Sequence, residues 1–571
     1  MAVARNTAPG PSGPPTTAAR PGRRMVWALV GVVLTSFLSA LDQTVTAVSV
    51  FPIAHDLDPV NGVGLMSWVI GAYMLGSTAT QPLYGRIADI YGAKRVFLAS
   101  AFAFLIASGL CGAAQSMGQL IAFRALQGIG AGGLYSVSLI LMARSVAPKD
   151  RAKFQGIAGI VILLATIAGP LIGGFLTGDH TVLGLHTSWR WIFYVNLPIG
   201  AVGITMVVTL LKLPHEQRSH RVDYLGALLA SAGTALLLLM TTWGGTEYPW
   251  SDPLLWALGA GGAVLLALFV WRQAKAAEPL VPLGLFRVRT VAVSGPMLFV
   301  VGFAMMGAIT YVALYLQLVD GLDPTGTGLR MMPMILGILV SSIGSGIVIS
   351  ARDGRYKIFP IIGAAVSAAG LGLLAMLSGG SSYWLLAGGL LLLGTGLGLL
   401  MQVLVQAVQN SVPNAELGSA TTSAVFLRTL GQSCGAAVFG AILANRFDAR
   451  VALHPELPAG LEPEGLAHLA GSARDAAVDA FTDSLDVVFL VAAVVMLLAF
   501  LLSFLLKEMQ LREIDDFEAL ASELGDETLA GGPAAETARS GNAEPGTARS
   551  GGAAVAGPRE SADGGVPSPP R

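Results

Sequence analysis

Long uncharged apolar segments are the feature that most constrains this chain. The segment from Ile358 to Ala415 contains no charged residue. It is too long for one membrane helix, which needs about 20 apolar residues. A Ser-Gly-Gly-Ser-Ser turn at 378–382 divides it into two windows. Only 12% of the whole chain is charged, compared with about 25% in soluble domains. The sequence therefore predicts an all-α integral membrane protein.

Fourteen charge-poor windows are long enough to cross a bilayer. They cover residues 25–50, 64–85, 95–114, 119–143, 154–178, 190–211, 224–244, 254–272, 290–316, 330–350, 358–378, 383–411, 417–444 and 485–506. Lys and Arg collect in the loops after even-numbered windows, for example Arg86, Lys94 and Arg95, whereas the loops after windows one and three have none. The positive-inside rule then predicts a multi-pass protein of the cytoplasmic (inner) membrane, with both termini cytoplasmic.

An acid within the first window is the strongest functional signal. Asp42 is flanked by uncharged residues from Met25 to Leu41 and from Gln43 to Ala54. An Asp at a helix centre costs roughly 2.5–3.5 kcal/mol on insertion scales, and acids retained there commonly carry protons or bind ions or ligands. The alternative is an acid at a helix end that reaches the lipid headgroups.

Arg124, in the fourth window, is the candidate partner of Asp42. The two windows run in opposite directions, and a rise of ~1.5 Å per residue gives both side chains similar depths in the outer part of the membrane. A nearby guanidinium favours a charged carboxylate, whereas desolvation disfavours it. We therefore expect Arg124 to modulate the protonation of Asp42. The alternative is an arginine that extends to the outer interface.

The loop from Gly85 to Arg95 carries a second group of candidates. Gly85 and Gly92 permit a tight turn between helices. Asp89 can accept hydrogen bonds from the N-terminus of a neighbouring helix, or pair with an arginine. Lys94 and Arg95 begin the third window on the predicted cytoplasmic face. On charge alone, these cations could serve only to keep the loop inside.

The same loop resembles the signature loop of the major facilitator superfamily, Gly-x-Leu-x-Asp-Arg-x-Gly-Arg-Lys. Ile87 stands in place of the leucine, and Ile90 and Ala93 stand in place of the two arginines. In that family the loop latches the two halves of the protein together on the cytoplasmic side in the outward-open state. The resemblance implies this latch role for Gly85, Asp89, Gly92, Lys94 and Arg95.

Four further stretches support the resemblance, which extends over residues 25–506. Residues 124–131 are similar to the arginine motif of the family, and residues 169–174 to the antiporter motif that marks exporters. Residues 189–200 and 42–45 resemble the 14-span drug:proton antiporters of this superfamily.

The predicted antiporter motif comprises Gly169, Pro170, Gly173 and Gly174. Small residues let another helix approach closely, and Pro170 removes a backbone hydrogen bond and permits a kink. We expect a flexing element at the contact between the halves, with simple close packing as the alternative.

Polar residues in the second half are weaker candidates for the substrate path. Arg428 lies deep enough in window thirteen to need a cavity or a partner. Gln317, Gln402 and Gln406 are further candidates, although some of these amides must bond between helices instead.

The resemblance implies a major facilitator fold of 14 transmembrane helices, in which two six-helix bundles rock about a central site. The expected divisions are a disordered cytoplasmic tail at 1–24, a bundle at 25–211, an inserted helix pair at 212–289, a bundle at 290–506 with a long outer loop at 445–484, and an acidic then disordered tail at 507–571.

The implied function is proton-coupled efflux of amphipathic drug-like compounds, with antibiotic resistance as a consequence. Its partners are a small-molecule substrate, protons and the lipid bilayer, and we expect a functional monomer. Two alternatives stay open: an exporter of an endogenous metabolite or lipid, and a membrane sensor or interaction protein that does not transport.

Several function classes are not expected. The net charge of −1 offers no basic field for nucleic acid. The chain has no phosphate-binding loop for ATP, its scattered histidines do not suggest a metal site, and no nucleophile–base pair emerges. We therefore expect neither an enzyme nor a cofactor.

Overall fold

The computed structural model describes residues 23–508. Its gaps are at 60–61, 147–164, 166–167, 170–171, 178–180, 183–184, 212–222, 245–247, 277–278, 323, 352–354, 414–415, 459–460 and 462.

The described chain is almost entirely helical. The helices before the inserted pair are α1 (Arg23–Leu57), α2 (Met66–Tyr91), α3 (Ala93–Gly112), α4 (Met117–Ser145), the short α5 (Trp191–Tyr194) and α6 (Asn196–Leu210). The pair of helices predicted to be inserted, called the inserted pair below, is α7 (Tyr224–Trp243) and α8 (Pro253–Lys275). The remaining helices are α9 (Arg289–Leu318), α10 (Pro324–Arg330), α11 (Met332–Ala351), α12 (Ile358–Leu374), α13 (Tyr383–Asn410), α14 (Leu417–Val451) and α15 (Ser472–Ser503).

The remaining regular elements are short. Thr181–Val182 and Leu185–His186 pair as an antiparallel hairpin. Three 3₁₀ helices cover Gly62–Leu65, Leu283–Arg287 and Pro463–His468.

Length and composition agree with a membrane protein. Among the described residues, 11 helices are long and apolar enough to cross a bilayer. The helices α2 and α12 cover two more of the predicted windows. Most of the window at 154–178 lies outside the described residues, although 172–177 are helical. Side chains begin several helices as expected: the Ser116 hydroxyl accepts a hydrogen bond from the Gln119 backbone N–H at the start of α4, at 3.3 Å.

The apolar side chains form separate cores. One large cluster joins residues of α9 and α11 to α15. Two clusters join residues of α1 to α6. In the first group of helices, α1 to α6, α2 and α3 pack on α4 and α1 packs on α6. In the second group, α9 to α15, α9 packs on α14 and α12 packs on α13. The α2–α14 contact joins the two groups.

The helix α7 lies beside this α2–α14 contact and touches both helices. The Ser231 hydroxyl donates to the carbonyl oxygen of Ala79 on α2 at 2.5 Å. At the other end of α7, the rings of Trp243 and Trp68 meet edge to face, with centroids 5.4 Å apart. The inserted pair is therefore packed against the junction between the two groups of helices.

Each group holds the C-terminal end of its last helix with a lysine. The Lys94 ammonium donates to the carbonyl oxygens of Val208 and Leu211 at 2.9 and 2.6 Å. The Lys357 ammonium donates to the carbonyl oxygen of Phe504 at 3.0 Å. Cations are stabilising at helix C-termini, where unpaired carbonyl groups concentrate partial negative charge.

A buried carboxylate fixes the inserted pair to the segment that follows it. Asp223 accepts hydrogen bonds from the Gly226 backbone at 3.1 Å, from Arg272 Nε at 3.2 Å and from Gln273 Nε2 at 3.1 Å. The oxygen of the Gln273 side chain accepts from the Val281 backbone N–H at 3.0 Å. One acid therefore begins α7, joins it to α8 and positions the chain that leads to α9.

We expect Asp223→Ala to destabilise the protein by roughly 2–3 kcal/mol, because it leaves Arg272 and Gln273 without their shared acceptor. The matched control is Asp252→Ala, which removes one capping hydrogen bond, to the Leu254 backbone N–H at 2.8 Å, and should cost about 1 kcal/mol. Thermal unfolding in detergent measures both variants. Equal shifts of Tm would contradict the proposed difference.

Candidate functional site

Asp42 is buried against Arg124, as predicted from their similar depths. The two residues are 2% and 1% exposed, and Arg124 NH1 donates to Asp42 Oδ2. Arg124 Nε also donates to the carbonyl oxygen of Val69 at 3.3 Å. The guanidinium carbon lies 4.3 Å from the centre of the Tyr73 ring. The arginine is therefore neutralised, hydrogen-bonded and stacked, which buried charges require.

Two amides complete the surroundings of the carboxylate. Gln127 Nε2 and Asn196 Nδ2 donate to Asp42 Oδ1 at 2.9 and 3.0 Å. Both amides also donate to Ser108 Oγ, at 3.1 and 2.9 Å. The oxygen of Gln127 accepts from Arg124 NH1 at 2.7 Å, which fixes the orientation of that amide. The helices α1, α3, α4 and α6 thus converge on one carboxylate.

Sequence analysis did not assign these three partners. Gln127 lies three residues after Arg124, on the same face of α4, and that spacing was the available signal. Asn196 lies in the recognised stretch 189–200. Ser108 gave no signal, because serines are common in membrane helices.

The residues before Asn196 tie the start of α5 to the end of α1. Trp189 Nε1 and Arg190 NH1 donate to Asp56 Oδ2 at 2.8 and 3.2 Å, and the guanidinium lies 4.2 Å from the centre of the Trp189 ring. The hydrogen bond from Trp189 is the largest of the influences that hold the pKa of Asp56 below its ordinary value. This contact positions the chain that supplies Asn196 to Asp42.

The predicted antiporter motif packs beside the same acid. An added Cβ on Gly169 would lie 2.0 Å from Thr44 Oγ1, and one on Gly173 would lie 3.1 Å from the Val45 carbonyl oxygen. Gly174 has open space around it, and Pro170 lies outside the described residues. The described part of the motif therefore contacts α1 of its own half, and its role as a flexing element between halves stays a prediction.

We expect Gly169→Ala to destabilise the protein by about 1–3 kcal/mol, because the new methyl group overlaps Thr44. Gly174→Ala is the matched control and should leave Tm unchanged, since nothing lies within 4 Å of its added Cβ. Thermal unfolding of the two purified variants measures the difference. A Gly169→Ala protein as stable as the control would mean that the helices do not approach this closely.

Asp89 joins the two halves. Its Oδ1 accepts from the Gly418 backbone N–H at 3.0 Å, and its Oδ2 accepts from the Ser419 backbone N–H and hydroxyl at 2.8 and 2.9 Å. These residues begin α14, where an acid is favoured by the helix dipole. Arg144 also pairs with Asp89, at 2.6 Å. Both interactions expected for Asp89 are present together, and Arg144 is a partner that sequence analysis did not assign.

The other predicted latch residues have different surroundings. An added Cβ on Gly85 would lie 1.9 Å from Thr422 Oγ1 on α14, so this glycine permits close approach of the two halves. Gly92 has a φ of +89°, which favours glycine. Lys94 binds carbonyl oxygens at the end of α6, and Arg95 is exposed. Of the five, Gly85 and Asp89 contact α14 in the described part of the chain.

We expect Asp89→Asn to open this side of the protein, because charge-assisted hydrogen bonds worth about 1.5–3 kcal/mol each are weakened or lost. The measurement is maleimide labelling of Cys introduced at Thr422, in a background without Cys111 and Cys434. A loss of 1.4 kcal/mol would raise the labelling rate about tenfold. The control is Asp320→Asn, and a rate no higher than that of the control would contradict the latch.

The four candidates for the substrate path do not lie together. Gln317 is exposed and lies near the C-terminal end of α9. At this end, the Tyr315 hydroxyl donates a 2.9 Å hydrogen bond to the Ser378 carbonyl oxygen in the α12–α13 turn. Gln406 is 2% exposed and lies with Gln402 towards the opposite end of the bundle, in the last turns of α13.

Arg428 instead faces the other half. Its NH2 group donates to Tyr135 Oη on α4 at 2.9 Å. On the next residue, the Thr429 hydroxyl donates to Gln81 Oε1 on α2 at 3.2 Å. No cluster of three or more His, Cys, Asp or Glu able to hold a metal ion occurs among the residues that the structure describes.

Comparison with known proteins gives a family and a fold. The family model for the Major Facilitator Superfamily matches residues 32–436. The chain is 39% identical over 465 residues to an uncharacterized MFS-type transporter of Mycobacterium tuberculosis (strain ATCC 25618 / H37Rv), a match covering 81% of this chain and 66% of that protein. It is 32% identical over 418 residues to multidrug transporter protein MdtP of Bacillus subtilis (strain 168), covering 73% and 75% of the two chains.

Among solved structures, the fold matches the proton:xylose symporter XylE bound to 6-bromo-6-deoxy-D-glucose. The TM-score is 0.57 at 16% identity, over 88% of this chain and all (100%) of that one. At this identity the match bears on the fold alone. The chain spans just under two thirds, 66%, of the length of its M. tuberculosis relative.

Proposed function

Because the chain belongs to the major facilitator superfamily, whose members are membrane transporters and not enzymes, we propose that it exports amphipathic drug-like compounds in exchange for protons. Asp42 takes up the proton, and Arg124 competes with that proton for the carboxylate. The protein acts as a monomer in the cytoplasmic membrane, with both termini in the cytoplasm.

The buried Asp42–Arg124 pair is the observation that carries this proposal. A proton on Asp42 removes the negative charge that neutralises Arg124, and an uncompensated buried charge costs about 3–5 kcal/mol. The described site has only donors facing the carboxylate: Arg124, Gln127 and Asn196. It therefore suits the charged acid, and the protonated acid requires α1 and α4 to rearrange or to admit water. Proton uptake and conformational change are coupled in this way.

The helix α4 connects this site to the contact between the halves. Arg124 pairs with Asp42, and Arg144, twenty residues later on the same helix, pairs with Asp89. Twenty residues correspond to ~30 Å of helix. A shift of α4 that follows protonation of Asp42 therefore also moves Arg144 against Asp89, and loosens the contact of Asp89 with α14.

The cargo is inferred from relatives. MdtP carries the name multidrug transporter protein, which supports drug-like compounds over an endogenous metabolite or lipid. One experiment distinguishes export of drugs from export of a metabolite or lipid and from a sensor that does not transport. Cells with and without the gene are exposed to a panel of toxic compounds, and each exposure is repeated with a proton uncoupler. Uncoupler-sensitive protection against several compounds is expected. If the gene does not change the susceptibility of the cells to any compound, the result would favour export of a metabolite or lipid, or a sensor.

We expect Asp42→Asn to abolish proton-driven transport, in inside-out vesicles, of a compound against which the gene protects cells in this panel, because an amide cannot take up the proton. Tm should fall, because the neutral amide leaves the buried charge of Arg124 uncompensated, so transport is compared per amount of folded protein in the vesicles. The control, Asp252→Asn, changes an acid at a helix start and should transport normally. Full-rate proton-driven transport by Asp42→Asn would refute the coupling role of Asp42.

A further inference from the structure

Arg428 lies near the middle of the predicted membrane. It is eleven residues after Leu417, the first residue of α14, which corresponds to ~16 Å along the helix. Its partner Tyr135 is ten residues before Ser145, the last residue of α4, or ~15 Å. Both distances are about half of the ~30 Å hydrocarbon core of a bilayer. The contact therefore joins the two halves near the depth at which such transporters bind their substrates.

The guanidinium of Arg428 uses few of its donors. An arginine has five N–H donors, and among the described residues Arg428 donates one hydrogen bond, to the Tyr135 hydroxyl at 2.9 Å. The guanidinium carbon lies 5.6 Å from the centre of the Tyr135 ring. Its Nε is buried without a hydrogen-bond partner. No carboxylate of the described part of the chain lies within salt-bridge distance of it.

Arg124 has a carboxylate partner and further hydrogen-bond acceptors, which Arg428 lacks among the described residues. Arg124 is paired with a carboxylate and also bonds an amide and a carbonyl oxygen. The acids on the facing helices are already neutralised, Asp42 by Arg124 and Asp89 by Arg144. The positive charge of Arg428 therefore has no counter-ion among the residues described around the junction.

An unneutralised guanidinium at this depth is costly and is retained where it faces a cavity or a ligand. We propose that Arg428 binds the carboxylate of the cargo, and that the protein prefers amphipathic compounds that carry a carboxylate. The free N–H groups suit a bidentate pair with that group. The Tyr135 ring beside them offers a face for an aromatic part of the same molecule. The inference rests on the proposed transport function and names its substrate class.

Rhodamine 110 and rhodamine 123 test the inference, because the second dye is the methyl ester of the first. Binding of each dye to purified protein in detergent is measured by fluorescence polarisation, without any proton gradient. The wild type should bind the carboxylate dye more tightly than the ester. Arg428→Gln should weaken the binding of the carboxylate dye at least about tenfold and should change the binding of the ester by no more than about twofold. Arg428→Lys, which keeps the charge, should retain the preference in part.

Tyr135→Phe separates ligand binding from the contact between the halves. It removes the hydrogen bond to Arg428 but leaves the cation, so the preference for the carboxylate should persist. Equal weakening of both dyes by Arg428→Gln would assign the arginine a structural role and overturn the inference. Equal binding of both dyes by the wild type would also overturn it.

Failure of the proposed function has a different signature from failure of the inference. A protein without proton-coupled export would show no proton-driven movement of any dye in inside-out vesicles. Its binding in detergent would still depend on the carboxylate and on Arg428. Conversely, proton-driven movement of both dyes without a preference in binding would retain the export function and reject the assigned substrate class.

Discussion

A carboxylate and a guanidinium that share one buried site are the interaction on which this structure depends. Neither charge is tolerable alone in an apolar helix bundle, and each makes the other possible. The packing around them follows from this requirement. Gln127 and Asn196 satisfy the second carboxylate oxygen, and Tyr73 covers the guanidinium. The first half is thus organised around a neutral pair whose balance a single proton can change.

The second constraint is that the contacts between the two halves must be specific and also reversible. Asp89 meets the start of α14 through hydrogen bonds to backbone and hydroxyl groups, and Arg428 meets Tyr135 through one. Such contacts are individually small and geometrically demanding. They hold the described arrangement together, and under the proposed alternating access they are lost together when the helices tilt.

The depth of a side chain along its helix could be predicted from the sequence, whereas the direction in which it points around the helix could not. Asp42 and Arg124 were matched because the rise of a helix fixes how deep each residue lies. The same arithmetic says nothing about which side of a helix faces inward, since neighbouring helices determine that. Gln317 is exposed near one end of α9, and its place in the substrate path stays a prediction. Lys94 was assigned to the latch, yet it meets the end of α6, a contact set by the packing of α3. Asn196 depends on how the Trp189 segment is held by Asp56.

The position of α7 makes the protein asymmetric about its junction. The helix α7 touches both α2 and α14, and Ser231 forms a hydrogen bond with α2. The helix therefore covers one flank of the contact between α2 and α14. In the proposed alternating access, α7 must move with either α2 or α14 and slide past the other. Lipid chains and membrane-dissolved molecules on this flank therefore meet α7 before they reach the contact between α2 and α14.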